Sequence, residues 1–287
     1  MQPEEMSARE QLALVWKSKV LIGIVTFVFG AAAVAVAFIL PKQYEASVVL
    51  SPVSNNMSSG GLGGNLGSMA SQFGGLAALA GISVTGDSAK SESLAVLQSE
   101  YLTESFIQQN NLLPVLYAKL WDPVRKVWTT QDPLKTPTLW KANKKFDETV
   151  RKIIPNAKTG IVSMTITWRN PKQAADWANG MVQMTNEYLR DKAIHEADRN
   201  IAYLNEEAAK SNVVEVRQAI YQLMKTEINR AMIARGSKEY AFRVIDPATP
   251  PELASSPRKA LWVLGGLVAG FMLALFYVLT RASLRQP

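Results

Sequence analysis

Two long apolar segments without a charged residue constrain this chain more than any other feature. They are Val20–Leu40 and Ala260–Thr280, each of 21 residues. At about 1.5 Å rise per residue, a helix of this length measures about 32 Å, enough to cross a hydrocarbon core of about 30 Å. The sequence therefore predicts two transmembrane helices around one large polar region. It excludes both a wholly soluble protein and a many-pass transporter.

A cleavable signal peptide is the alternative interpretation of the first segment. Ala35, Val36 and Ala37 form a small-residue triplet, as cleavage sites do. However, the apolar run is longer than the roughly 7–15 residues of a signal-peptide core. The acidic residues Glu4 and Glu10 also precede it, where a signal peptide is basic. We therefore expect this segment to be a retained helix.

Basic residues in the two tails predict the orientation of the chain. Arg9, Lys17 and Lys19 precede the first segment, and Arg281 and Arg285 follow the second. Short cytoplasmic segments are enriched in Lys and Arg, whereas long translocated regions escape this rule. We therefore expect both tails in the cytoplasm, too short to hold an enzymatic or signalling domain, and the middle of the chain in the periplasm of a bacterium. The predicted parts are a cytoplasmic N-tail 1–19, a transmembrane helix 20–40, a periplasmic domain 41–259, a second transmembrane helix 260–280 and a cytoplasmic C-tail 281–287.

Two hydrophobic patterns divide the middle region into strands and helices. Alternation of apolar and polar residues is typical of strands, and recurrence every three or four residues is typical of helices. The predicted strands cover residues 43–51, 160–168 and 240–246. The predicted helices cover residues 91–109, 138–153, 171–210 and 213–234. The last two form a long helical hairpin, 171–235, so the predicted fold class is an α+β membrane protein with a periplasmic α/β base, this hairpin and two flanking transmembrane helices.

Two segments of unusual composition connect these elements. Residues 57–86 are rich in glycine, which predicts a flexible loop. The end of this loop, Phe73–Ile82, is apolar, so we expect it to contact either its own domain or a neighbouring subunit. Four prolines in residues 247–257 predict a stiff extended strut before the second transmembrane helix. They are Pro247, Pro250, Pro251 and Pro257.

Small residues in the two apolar segments indicate close helix packing. Gly266 and Gly270 are four residues apart in the second segment, a spacing that lets two membrane helices approach closely. Gly30 and the alanines of the first segment offer a flat partner surface. We therefore expect the two helices to pack through Gly266, Gly270 and Gly30, within one subunit or between subunits.

The far half of the hairpin carries the candidate oligomer contacts. Ile194, Ile201 and Leu204 lie where the fold is thin, and apolar burial contributes about 25 cal/mol per Å². A ring of subunits would cover these side chains, because repeated contacts of one kind close into rings when the rotation allows. The alternative is that the shorter return helix covers them within one subunit.

The residues that chemistry usually requires are scarce in this chain. It has no cysteine and one histidine, His195, so we expect no metal site and no nucleophilic triad. The paired carboxylates Asp147–Glu148 and Glu206–Glu207 are adjacent, so on a helix they diverge and cannot flank one bond. No glycine motif of a nucleotide site is present. We expect no catalytic residue, no cofactor and no nucleic-acid partner.

Several segments, in their order and spacing, resemble those of the bacterial polysaccharide chain-length determinants, the Wzz-type co-polymerase family. They are Trp16–Lys19, Pro41–Ser47, Asn111–Pro114, Glu239–Ala248 and Pro257–Lys259, the last followed by a glycine-rich span. The resemblance implies a two-span inner-membrane protein that forms a homo-oligomeric ring. It also implies a non-enzymatic regulator of the length of an O-antigen or related lipid-linked glycan, acting with a separate polymerase. The chain departs from the larger members in its shorter helical part and its glycine-rich insertion, and it lacks the kinase domain of the kinase-fused branch.

Two other functions stay open at this stage. A two-span extracytoplasmic sensor would need a separate cytoplasmic partner to relay its signal. A periplasmic glycan-processing enzyme would need carboxylates brought together by the fold. The partners implied by the resemblance are further copies of the chain, the polymerase, the nascent lipid-linked glycan and membrane lipid.

Overall fold

The computed structural model describes residues 16, 18–53, 86–130 and 132–283. The expectations for the glycine-rich loop 57–86 fall outside these residues, except at position 86, and so do those for Phe73–Ile82 and Arg285. The chain divides into two compact units. The smaller unit contains the two apolar helices, and the larger one consists of residues 46–168 and 172–250.

The described helices and strands are as follows. The α-helices are α1 Lys19–Ile39, α2 Gly86–Gln98, α3 Glu100–Gln109, α4 Leu113–Leu116, α5 Leu139–Lys145, α6 Pro171–Lys210, α7 Val214–Gly236 and α8 Lys259–Ser283. The strands are β1 Tyr44–Pro52, β2 Trp121–Asp122, β3 Val127–Trp128, β4 Arg151–Pro155, β5 Val162–Trp168 and β6 Phe242–Asp246. A 3₁₀ turn covers Ala118–Leu120, and a π-helical turn covers Phe146–Val150.

The smaller unit is built on α1 and α8. Both helices are long and apolar enough to cross a membrane, as their uncharged sequences predict. Ile22 of α1 is buried with Ala274 and Val278 of α8. The segment that precedes α8 is tied to the residues that follow α1, because Gln43 N–H donates to the Ser256 carbonyl at 2.9 Å and Ser255 N–H donates to the Gln43 carbonyl at 2.8 Å.

The larger unit is organised by a four-stranded sheet in the order β4–β5–β1–β6. Strands β1 and β6 pair antiparallel, with Leu50 opposite Val244. Strands β4 and β5 also pair antiparallel, with Ile153 opposite Met164. Strands β1 and β6, the first and last along the chain, are therefore direct neighbours in the sheet.

Two predicted helices differ from those observed. The helix expected at 138–153 ends at Lys145, and after the π-helical turn the chain forms β4 at Arg151–Pro155. This prediction was wrong at its end because the β-branched pair Ile153 and Ile154 favours an extended strand, and β5 supplies the partner. The helix expected at 91–109 breaks at Ser99, whose side chain caps α3 by accepting a hydrogen bond from Leu102 N–H.

The near half of α6 packs into the main core, as its sequence predicts. Trp177 and Met181 are buried there, and the Trp177 ring lies 5.0 Å from the Trp168 ring. Tyr188, further along the same helix, is 38 % exposed. Its ring contacts Tyr101 at 5.7 Å. The core therefore fixes the start of α6, and the rest of the helix extends beyond it.

A buried arginine of β4 links this strand to helices α2 and α3. The Arg151 guanidinium, with a side chain only 2 % exposed, donates to the Leu97 carbonyl and to Thr103 Oγ1, both at 2.9 Å. It also donates to Asp147 Oδ1 at 2.7 Å. These bonds satisfy buried acceptors near the break between α2 and α3, where helical hydrogen bonds are interrupted.

We expect Arg151→Met to destabilise the larger unit by about 3 kcal/mol, because it removes the donors and leaves buried acceptors unpaired. Thermal unfolding of the detergent-solubilised chain should then occur about 5–10 °C lower. Lys152→Met, at the exposed next position, is the matched control and should change little. An unchanged midpoint for Arg151→Met would show that the network is not stabilising.

Candidate functional site

Two asparagines on one face of α6 hold the return path of the chain. The buried Asn186 accepts hydrogen bonds at Oδ1 from Ala241 N–H at 2.8 Å and Phe242 N–H at 2.7 Å. Its Nδ2 donates to the Phe242 carbonyl at 2.9 Å. Seven residues earlier, Asn179 makes the same pair of bonds with the amide and carbonyl of Ala248, at 3.0 and 2.9 Å. The side chains of α6 thus hydrogen-bond the backbone around β6, an edge strand of the sheet.

The hairpin beyond this point is held together by small residues and ion pairs. The buried alanines of the two helices beyond Asn186 are Ala193, Ala197, Ala208, Ala231 and Ala234. Arg230 of α7 bonds Glu196 of α6 at 3.3 Å, and Arg235 bonds Asp198 at 2.8 Å. Exposed ion pairs contribute little stability, so the far half of the hairpin rests on a thin apolar contact.

The outer side of α7 carries an exposed apolar stripe, which we call the α7 stripe. Its members are Val214, Tyr221, Ile228 and Met232, which are 61, 55, 41 and 63 % exposed. Their spacing of seven, seven and four residues puts them on one side of a helix. The α7 stripe was not predicted from the sequence, where α7 was considered only as the helix that could cover α6. The seven-residue spacing of these side chains is nevertheless visible in the sequence.

The predicted oligomer contacts on α6 are less exposed than the α7 stripe. Ile194, Ile201 and Leu204 are each half-buried. Ile201 and Leu204 share the face that bears the buried Ala197 and Ala208. The return helix therefore lies over the face that carries them, and each keeps a partly accessible side chain.

The glycines of the two apolar helices lie at their contact. A Cβ atom added at Gly270 would lie 2.7 Å from Phe29 Cβ, and one added at Gly30 would lie 2.8 Å from Leu267 Cδ2. One added at Gly266 would collide with Ala33 Cβ. At Gly265 an added Cβ would meet nothing within 4 Å. The pair therefore approaches through Gly30, Gly266 and Gly270, while Gly265 lines an open apolar groove beside it.

The four prolines fall between β6 and α8, in a stretch that is neither helix nor strand apart from the isolated bridge of Ser256 to Gln43. Pro247 and Pro250 are exposed and flank Ala248, which Asn179 holds. Pro251 and Pro257 belong to the smaller unit and are half-buried. The predicted strut is thus a non-helical, non-strand segment anchored in each unit by backbone hydrogen bonds.

The polar residues considered for chemistry lie on the surface. His195 is exposed on α6. Asp147 bonds Arg151, and Glu206 and Glu207 both bond Lys210, at 2.8 and 3.2 Å. These two carboxylates raise the pKa of Lys210 through hydrogen bonds to its ammonium group. Among the described residues no cluster of three or more His, Asp or Glu could hold a metal ion.

Comparisons with known proteins point to one family. A family model described as chain length determinant protein (Wzz) matches residues 4–110, and the GNVR model, a G-rich domain described on tyrosine kinases, matches residues 211–283. Together the two regions cover more than half of the chain. No curated protein sequence matches it.

Solved structures of polysaccharide co-polymerases are similar at low sequence identity. A full-length bacterial polysaccharide co-polymerase is 12 % identical over 96 % of this chain and 97 % of its own, with a TM-score of 0.40. A fragment of WzzB, a co-polymerase from Salmonella Typhimurium, is 11 % identical over 75 % of this chain and 100 % of its own, with a TM-score of 0.32. A mutant of the O-antigen chain-length regulator of Shigella flexneri is 9 % identical over 75 % and 100 %, with a TM-score of 0.23.

We expect Gly266→Leu to separate α1 from α8, because it adds bulk where the two backbones approach. The chain has no native cysteine, so cysteines introduced at Ile22 and Ala274, which share one cluster, report the contact by oxidative cross-linking. The cross-linking yield should fall severalfold. Gly265→Leu is the matched control, with open space for the side chain, and should keep the yield. Equal yields in the two variants would contradict the assigned contact.

Proposed function

The chain belongs to the chain length determinant (Wzz) family of polysaccharide co-polymerases, and on that premise we propose that it regulates the length of a surface polysaccharide. The glycan is an O-antigen or a related lipid-linked polymer. The protein acts without catalysing the polymerisation, as a homo-oligomer in contact with a separate inner-membrane polymerase. The observation that carries this proposal is the α7 stripe, four exposed apolar side chains on one side of the return helix.

The α7 stripe supports assembly because it is too apolar for a surface that faces only water. Covering a Tyr, Ile or Met side chain contributes about 1.5–3 kcal/mol. On α6 the half-buried Ile194, Ile201 and Leu204 keep part of their side chains accessible at the edge of the intramolecular contact, where a neighbouring copy can cover them. A contact between two different faces repeats from subunit to subunit and closes into a ring when the rotation permits.

The placement in the inner membrane is part of the same proposal. Helices α1 and α8 are long and apolar enough for two spans, and the basic tails favour the cytoplasm. The sheet and the hairpin then lie in the periplasm, where the polymer is extended. Regulation therefore acts through the geometry of the periplasmic assembly and its contact with the polymerase.

Deleting the gene tests the function. We expect the glycan still to be made, with a broad, unregulated length distribution on a gel in place of a modal length. Loss of the polymer altogether would indicate an enzyme of its synthesis. An unchanged length profile in the deletion strain would contradict a chain-length regulator.

The assembly surface is tested by the double change Tyr221→Asp and Ile228→Asp. These side chains are exposed within one subunit, so the variant should fold, give a smaller species after detergent extraction and broaden the glycan lengths. Val124→Asp and Leu134→Asp are matched controls, at exposed apolar residues outside the hairpin. Ile201→Asp or Leu204→Asp should act in the same direction. A fully assembled double variant with wild-type glycan would contradict the surface.

The orientation is tested with alkaline phosphatase, which is active only outside the cytoplasm. We expect a fusion after residue 200 to be active and a fusion after Pro287 to be inactive, because the two spans return the chain to its starting side. The reverse pattern would contradict the periplasmic placement. Equal abundance of the two fusions, measured by immunoblot, is the control.

A further inference from the structure

Two turns of the larger unit repeat one short sequence ten residues apart. Residues 122–125, at the turn between β2 and β3, are Asp-Pro-Val-Arg, and residues 132–135, in the turn before α5, are Asp-Pro-Leu-Lys. In the first turn Asp122 Oδ1 accepts a hydrogen bond from Val124 N–H at 2.9 Å. In the second, Asp132 Oδ1 accepts one from Leu134 N–H, also at 2.9 Å. The aspartate holds the backbone of each turn, so little conformational freedom is lost when the turn binds a partner.

Each turn presents an aliphatic side chain that is almost fully exposed. Val124 is 88 % and Leu134 is 85 % exposed, more than any other large apolar side chain that the structure describes in the larger unit. A side chain this exposed stands on a convex surface, so a folded protein partner would have to supply a pocket around it. The fluid hydrocarbon of a lipid bilayer covers such a side chain without a preformed pocket, and its burial there is favourable.

Basic residues surround the two aliphatic side chains. Residues 118–145 contain seven Lys or Arg and two Asp, so this segment carries a net charge of +5 out of +7 for the whole chain. Arg125 and Lys135 directly follow the two aliphatic residues. Their side chains contact the Asp of their own turn only at 4.0 and 3.6 Å and remain exposed. A Lys or Arg near an anionic bilayer surface strengthens binding roughly fivefold, so the charge of this segment is complementary to anionic lipid.

Tryptophan side chains lie in the same segment. Trp121 of β2 and Trp128 of β3 contact each other, with ring centroids 4.8 Å apart, so an aromatic pair closes the first turn. Trp140 of α5 is exposed. Lys141 Nζ donates to the Leu134 carbonyl at 2.6 Å, which ties the second turn to α5. Tryptophan is enriched at membrane–water interfaces, so the residue types of the whole segment agree with a lipid partner.

We infer that the two turns dock on the surface of an anionic lipid bilayer. Val124 and Leu134 enter the hydrocarbon boundary, and Arg125 and Lys135 bind lipid phosphate groups. An acidic glycan would pair with the cations but would leave both aliphatic side chains in water, whereas a lipid surface matches both parts of the repeated sequence. The inference rests on the two-span placement in the proposed function, which supplies a bilayer to every copy, and not on the regulation of glycan length.

Quenching of a fluorophore by lipid tests the docking with the full chain reconstituted in bilayers. The chain has no native cysteine, so Val124→Cys or Leu134→Cys carries a single environment-sensitive label. Asn212→Cys, exposed between α6 and α7, is the matched control. In phosphatidylcholine with phosphatidylglycerol, nitroxides on the acyl chains should quench the labels at 124 and 134 severalfold more than the label at 212. Equal quenching at the three positions would overturn the docking.

A change of charge tests the anionic part of the inference. Arg125→Gln together with Lys135→Gln should lower the quenching at 124 severalfold, and bilayers of phosphatidylcholine alone should do the same. Lys158→Gln, an exposed cation in the turn between β4 and β5, is the matched control and should keep it. Quenching that is independent of both charges would overturn the role of anionic lipid. A shift of the label by polygalacturonate, without quenching by lipid, would assign the turns to an acidic glycan and overturn the lipid surface.

Two results separate this inference from the proposed function. The docking surface lies outside the hairpin, so Val124→Asp with Leu134→Asp should leave the mass of the assembled complex unchanged. If the labels at 124 and 134 are not quenched while gene deletion still broadens the glycan lengths, the docking is overturned and the proposed function stands. If the labels are quenched while deletion leaves the lengths unchanged, the docking stands and the proposed function is contradicted.

Discussion

The hydrogen bonds from Asn186 to the backbone at Ala241 and Phe242 are the interaction on which the rest of the larger unit depends. They bind the long helix to the strand that returns the chain, across 56 residues of sequence for the Phe242 bonds. Because β6 also pairs with β1, this contact joins the helix and the sheet into one body. The hairpin therefore extends from a part of α6 whose position is fixed, although few buried side chains support its far half.

The same division between a fixed base and a thin extension explains where the functional surfaces lie. The near half of α6 packs against the core, so most of its apolar side chains are unavailable to a partner. Among the described residues, the far half is covered mainly by α7, and the members of the α7 stripe remain exposed. The proposed assembly surface would thus lie on the part of the hairpin that the core supports least.

The sequence predicted elements that carry a strong local pattern. Helix α6 runs from Pro171 to Lys210 as expected, because Asn170 and Pro171 start it and an apolar stripe continues through it. The prediction at β4 was wrong. Its five residues were assigned to the end of a helix, because no change in the pattern of polar and apolar residues separates them from that helix. The contacts of Asn186 had no local pattern, because they join residues distant in sequence. The half-buried state of Ile201 and Leu204 likewise follows from how α7 packs, which periodicity alone does not determine.

We propose that the hairpin builds a closed assembly, and the mass of the detergent-extracted complex is the direct test of that assembly. Native mass spectrometry should give one dominant species at a single integer multiple, above two, of the 31.5 kDa chain. A closed ring predicts this discrete mass, since each subunit satisfies both of its neighbours. A monomer, or a continuous ladder of masses, would contradict the closed assembly.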